Sequence, residues 1–200
     1  MLTFDPEAHK YFWDGQPVPS VTTLLSPLYD FSFVDAGVLK RSADLGTACH
    51  LACELYDSDD LDESSLDPTV TPFLDGWIKF RKEREFTPIL TEQQVFHPQL
   101  RYAGTLDRTG VIEGKEGVID IKTGATTSPI HGIQLAAYAE ALKAQPDWKG
   151  SKNLTRWIVQ IKNDGTYKAT QYTETTDWAC FVGLLNVAAW KRKHNIKDKK

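Results

Sequence analysis

The chain has 200 residues, 41% hydrophobic and 25% charged, with a formal net charge of −4. This is ordinary globular composition, with enough chain for one domain and a substantial core, and no run approaches the ~18–20 apolar residues that span a bilayer. Three cysteines, Cys49, Cys53 and Cys180, make no disulfide framework. The opening "MLTFDPEAHKYFWDG" lacks the basic-then-apolar pattern of a secretory signal. A reducing, cytoplasmic setting without a membrane partner is expected.

In chain order, "FDPEAHKYFWDGQPVPS" predicts a small hairpin turning at Asp14-Gly15. Ser20 can cap a short helix through "VTTLLSPL". Asp44 is expected to open the helix "DLGTACHLACELYD", with an acid-rich loop after it. Pro68 or Thr69 can begin a helix to about Glu85, with Phe73, Trp77 and Phe80 at helical spacing. "TPILTEQQVFHPQL" and "RYAGTLDRTGVIEGKEGVIDIKTG" read as strands with turns at Gly110 and "EGKEG". "SPIHGIQLAAYAEALKAQ" predicts a helix, "TRWIVQIKNDGTYKATQYT" a hairpin turning at Asp164-Gly165, and "TTDWACFVGLLNVAAWKRKH" a final helix. Helices, three strands, helix, two strands, helix: this is an α/β (α+β) order with a mixed central sheet flanked by helices. One domain over 1–200 is expected. Residues 1–43 form an N-terminal hairpin and helices, 44–142 a core and 143–200 a closing hairpin and helix.

Charge is uneven. Residues 54–67 hold seven acids and no Lys or Arg, and without them the balance would be +3. The last ten residues, "KRKHNIKDKK", hold six Lys or Arg. An acidic chain can therefore still offer a basic surface, although a solvated loop and tail explain the same pattern.

Chemistry concentrates in "VIDIK". Alternation sends Asp120 and Lys122 to one face of a strand. An exposed ion pair is the simplest account of them. The hairpin predicted between Asp107 and Asp120 would, however, bring two carboxylates together, and such a pair needs a proton or a cation between them. A divalent ion with oxygen ligands is the natural cation, and Lys122 beside it could hold a water or a phosphate. His50 lies in "GTACHLACE" with Glu54 at i+4. That spacing resembles half a zinc site, but no second histidine completes it. Cys49 and Cys53 read as small packing residues. Gln134 and Tyr138, also i, i+4, either border a helix or face a phosphodiester.

"GTACH", "GTLD", "DIKTG" and "QLAAY" occur in that order, and together they resemble the PD-(D/E)xK nuclease superfamily in its RecB-like branch of phage-type and recombination-associated exonucleases. The motifs span roughly 44–142, and "HKYFWDGQPVPSVTTLL" also resembles the start of phage-type members. The resemblance implies a restriction-endonuclease-like core with Asp107 and Asp120 as ligands of Mg²⁺ or Mn²⁺. The Ile121 carbonyl would be a further ligand. Lys122 would position or activate the attacking water, and His50 would stand at the metal edge as a ligand or behind one. Gln134 and Tyr138 would contact the DNA backbone or orient Lys122 and the acids. Glu92, on the strand before Asp107, and Glu54 are lesser candidates. Some RecB-like members bind an iron–sulfur cluster through four cysteines, and three here predict no such cluster.

The implied activity is metal-dependent exonucleolysis of DNA, acting on double-stranded ends in phage or bacterial recombination or repair. Phosphates would be held by Arg101, Arg108, Lys115 and the cations at 191–193. No GxxxxGK[ST] loop occurs, so processivity would come from a ring-shaped homo-oligomer or a recombination or single-strand-annealing partner. Two rival readings keep the same fold: a structure- or site-specific endonuclease, and a non-catalytic DNA-binding or assembly module.

Overall fold

The computed structural model of the chain describes residues 1–196, so Lys197, Asp198, Lys199 and Lys200 of the basic tail lie outside the described residues. The N-terminal hairpin is a three-stranded antiparallel sheet of β1 (Leu2–Asp5), β2 (Lys10–Trp13) and β3 (Gln16–Val18). Its second turn holds Asp14 and Gly15 at φ 49° and 73°, the pair of left-handed residues that a tight hairpin needs. Ser20 then caps α1 (Val21–Leu25), its hydroxyl accepting from the Thr23 N–H.

The next helix, α2 (Ala36–Asp57), begins well before Asp44. Asp35 is the cap, accepting from the N–H groups of Gly37 and Val38, and Asp44 is a mid-helix residue whose carboxylate meets Lys40 at 2.9 Å. After the acid-rich loop comes α3 (Thr71–Glu83), shorter at both ends than its apolar spacing predicted. Trp77 and Phe80 on α3 are fully buried.

A five-stranded mixed sheet follows, in the order β4 (Thr87–His97), β5 (Tyr102–Ile112), β6 (Lys115–Lys122), β7 (Thr155–Ile161), β8 (Tyr167–Gln171). Only β6 and β7 run parallel, and a parallel pair needs a crossover, here α4 (Ile130–Lys143). The last helix is α5 (Asp177–Lys193). The expected Gly110 turn is absent: Gly110 lies inside β5. A Cβ there would stand 2.2 Å from the Thr87 carbonyl oxygen and 2.5 Å from the Phe86 ring, so close packing and not a turn requires the glycine. The turn falls at Glu113-Gly114, both at positive φ.

Each face of the sheet has its own core. On one, α1, α4 and α5 pack Leu24, Leu135, Leu142 and Phe181 against Val95, Val118 and Ile158. On the other, α2 and α3 pack Cys53, Phe73, Trp77 and Phe80 against Ile119, Ile121 and Val159. Residues 119 and 121 thus face α2 and α3, which leaves Asp120 and Lys122 to the opposite face.

Cys49 and Cys53 are wholly buried and Cys180 is exposed. Burial pushes the Cys49 thiol up to about 11, and it raises the Cys53 thiol further. Because the thiolate is the reactive form, an excess of a thiol reagent at pH 8 is expected to label one cysteine in the native protein. In denaturant it should label all three.

Candidate active site

The site forms where β5 and β6 part. Their ladder ends at Arg108↔Ile119, so the next residues along it are Asp107 and Asp120. Beyond that point the Asp107 carboxylate takes over: its Oδ2 accepts from the Ile121 N–H at 2.7 Å. On the other side of β5, the β4–β5 register sets Glu92 opposite Asp107, between the pairs Thr91↔Arg108 and Gln93↔Leu106. Glu92 holds a left-handed backbone, φ 46°, which is uncommon for a non-glycine residue. The faces of β5 change at this point. Leu106 packs with the α4 and α5 core, whereas Arg108, two residues on, lies over the Trp77 ring of the α3 side. A regular strand would send both to one face.

His50 reaches over from α2. Its Nε2–H donates to the Ile121 carbonyl at 3.0 Å, and its Nδ1 stands 3.6 Å from Asp107 Oδ2 and 3.9 Å from Glu92 Oε1. Ligand atoms of His50, Glu92 and Asp107 lie within 4.8 Å of one another. Burial acts to lower the His50 pKa, but the Asp107, Glu92 and Asp120 carboxylates outweigh it and raise the pKa to about 9. The imidazolium so favoured supplies the positive charge that these acids demand.

Asp120 is buried, 2% exposed. Lys122 Nζ stands 2.7 Å from its Oδ2, yet that oxygen makes no hydrogen bond of good geometry; the contact is between charges and is not a directed bond. Burial pushes the Asp120 carboxyl up, Lys122 opposes this, and Asp107 adds to it. For Lys122 burial acts downward, but Asp120 and Asp107 prevail and hold its pKa above the ordinary lysine value. Lys122 is therefore an ammonium here, a donor and a charge and not a base.

Glu92, Asp107, Asp120, Lys122, Gln134 and Tyr138 line one cavity of about 210 Å³. Gln134 and Tyr138 are buried, with Gln134 Nε2 donating to Tyr138 Oη at 3.3 Å. Burial keeps the Tyr138 phenol well above its usual pKa, so it stays a neutral O–H. Gly104 makes room for this ring: a Cβ there would stand 2.6 Å from Tyr138 Cε1. The remaining walls come from the N-terminal sheet and α1, as His9, Tyr11, Ser20 and Thr22, with Tyr11 Oη 2.8 Å from Thr105 Oγ1. Sequence reasoning named none of these four as site residues, although they lie in the segment "HKYFWDGQPVPSVTT".

Three expected site residues lie elsewhere. Arg108 is fully buried and salt-bridged to Asp57 and Glu92, so it cannot be a surface phosphate contact. Arg101 is exposed at the β4–β5 turn and lines, with Arg192, a separate cavity of about 470 Å³. Glu54 is half-buried on α2 and lines none of the Asp107 cavity.

The donors fit a divalent cation: carboxylate oxygens with one imidazole nitrogen, beside a buried carboxylate oxygen without a hydrogen bond. The chain belongs to the PD-(D/E)XK nuclease superfamily, whose family model matches residues 65–188. That span contains Glu92, Asp107, Asp120, Lys122, Gln134 and Tyr138, while His50 precedes it. Among solved structures, LHK-Exo in complex with dAMP is similar at 14% identity, over 89% of this chain and 93% of that one, with a TM-score of 0.41. Comparison with curated proteins gives no match. Among the described residues no helix is long and apolar enough to cross a membrane.

Proposed function

We propose that this chain, acting as one domain, is a Mg²⁺- or Mn²⁺-dependent deoxyribonuclease that degrades DNA from double-stranded ends. The observation that carries this reading is the meeting of His50, Glu92 and Asp107 beside the cavity that Asp120 and Lys122 line. Asp107, Asp120 and Glu92 would hold the ion, and His50 would join them through Nδ1 once the cation has displaced its proton. Bound there, it would supply Lewis acidity to a phosphodiester and to a water. The Ile121 carbonyl, which His50 engages, is a further oxygen at the same point.

The chain's own groups define the rest. Lys122 Nζ offers N–H donors and a positive charge to the non-bridging oxygens as charge builds in the transition state. Tyr138 Oη and Gln134 give the cavity neutral donors that can orient a phosphate. DNA would be held through its phosphates by cationic surface, with the exposed Lys115 and Arg101 as candidates, so binding should weaken as salt rises. The activity would serve DNA recombination or repair in a bacterial cytoplasm, that of the host if the chain is phage-encoded. A ring of copies or an annealing partner would supply processivity.

The test compares linear with covalently closed circular DNA in Mg²⁺, in Mn²⁺ and in EDTA. Loss of linear DNA with either ion, none in EDTA and persistence of circles are the expected results. Circles cut as fast as linear DNA would replace this reading with an endonuclease. DNA binding without cleavage under any of these ions would make the chain a non-catalytic module.

A further inference from the structure

Arg108 is costly to bury. Its guanidinium is fully buried, and taking such a charge out of water costs several kcal/mol before any pairing. Buried ion pairs are often replaceable by apolar side chains without loss of stability, so packing alone does not explain an arginine here. Its contacts run in two directions. Nε donates to Asp57 Oδ2 at 2.6 Å. Nη1 donates to Glu92 Oε1 at 2.9 Å and to the Asp107 backbone carbonyl at 2.7 Å. Asp57 is itself immobilised, its Oδ1 accepting from Trp77 Nε1 at 2.9 Å and Arg81 Nη1 at 2.8 Å. The anchor is thus tied to α3, and the far end of the arginine grips two of the strands that carry the metal-facing acids, β4 at Glu92 and β5 at Asp107.

We infer that Arg108 is a positioning residue: fixed on Asp57, it holds the Glu92 carboxylate and the Asp107 backbone so that Glu92, Asp107 and His50 converge as one cation site. Glu92 needs this hold. Its left-handed backbone is strained for a residue with a side chain, and its carboxylate is only partly buried, so its rotamers would otherwise be free. The planar guanidinium can meet two acceptors in different directions at once, which an ammonium cannot do. Arg108 does not itself line the cavity. It acts through Glu92 and Asp107.

This inference rests on the proposed metal-dependent function, and its test separates the two. Mn²⁺ is titrated into the DNA-free protein by calorimetry for the native chain, Arg108→Met, Arg108→Lys, Glu92→Gln and the double variant Arg108→Met/Glu92→Gln, with the fold checked by circular dichroism. Loss of an outer partner of a metal ligand typically costs 10–100-fold in affinity. Arg108→Met should weaken Mn²⁺ binding by about that factor, and Arg108→Lys should do so too while keeping the charge. Lys also serves if Met does not fold. The double variant should lose less than the product of the two single fold-losses, because part of the arginine's effect runs through that carboxylate. On DNA, kcat should fall while KM stays within about twofold, since a DNA contact would move KM. Native-like Mn²⁺ affinity in a folded Arg108 variant, or additive losses in the double variant, would overturn the inference and leave the nuclease reading standing. Absence of Mn²⁺ binding by the native chain would overturn both.

Discussion

Lys122→Ala should lower the rate of DNA cleavage by about 10²–10³-fold, the loss seen when one preorganised donor to a transition-state oxyanion is removed. The lysine is held as an ammonium by Asp120 and Asp107, and its side chain is 29% exposed, so it can reach into the cavity and still be screened from bulk water. Single-turnover cleavage of a linear duplex at saturating Mn²⁺ measures the effect, and the loss should fall on the chemical step. A variant that cuts within threefold of the native rate would return Lys122 to the role of a simple ion-pair partner. Thermal unfolding serves as the control. Lys122 sits at the rim of the cavity, so the variant should remain folded, and Asp120 can answer the loss of its neighbour by taking a proton.

The largest stability effect is expected at Asp57, which does not line the cavity. Asp57→Ala would leave the buried Arg108 guanidinium, Arg81 and the Trp77 indole N–H without their shared acceptor. Breaking a buried ion pair from one side costs about 3–5 kcal/mol, a large part of the ~5–15 kcal/mol that holds a domain together. For a chain of this size that corresponds to a fall in Tm of roughly 6–20 °C. Urea unfolding of Asp57→Ala beside Lys40→Ala makes the contrast. The Lys40–Asp44 pair is exposed on one helix face and should cost about 0.5 kcal/mol or less. Equal losses in the two variants would mean that the Asp57 cluster contributes no more than a surface pair.

Local signals in the sequence were sufficient for most of the sheet. Alternation in "VIDIK" separates Ile119 and Ile121 from Asp120 and Lys122, and the turn glycines mark where chains reverse. The order of elements along the chain and the mixed character of the sheet followed from the run of patterns, while the strand order and the parallel β6–β7 pair across α4 came from the structure. What depended on contacts between distant segments was less legible. Gly110 looks like a turn residue until the Phe86 ring presses on it. Asp44 reads as a cap because aspartate favours that position, but the helix starts earlier, where the Asp35 carboxylate accepts from the Gly37 and Val38 N–H groups. Arg108 looks exposed beside Asp107 because arginine usually is; its partner Asp57 lies 51 positions away. Glu92 could be ranked only once the register with β5 set it opposite Asp107.

The contact between Tyr11 and Thr105 bridges 94 positions, and it has a temporal consequence. Joining such distant segments carries a loop-closure cost, and topologies rich in such contacts fold slowly. The cavity has walls from the first sheet, from the centre of β5 and from α4, so no early fragment of the chain contains it. During synthesis the acids on β5 and β6 emerge before the α4 residues Gln134 and Tyr138 that complete their surroundings. A chain still leaving the ribosome would therefore carry the metal-facing acids without the finished cavity, and cutting competence would arrive with the completed fold.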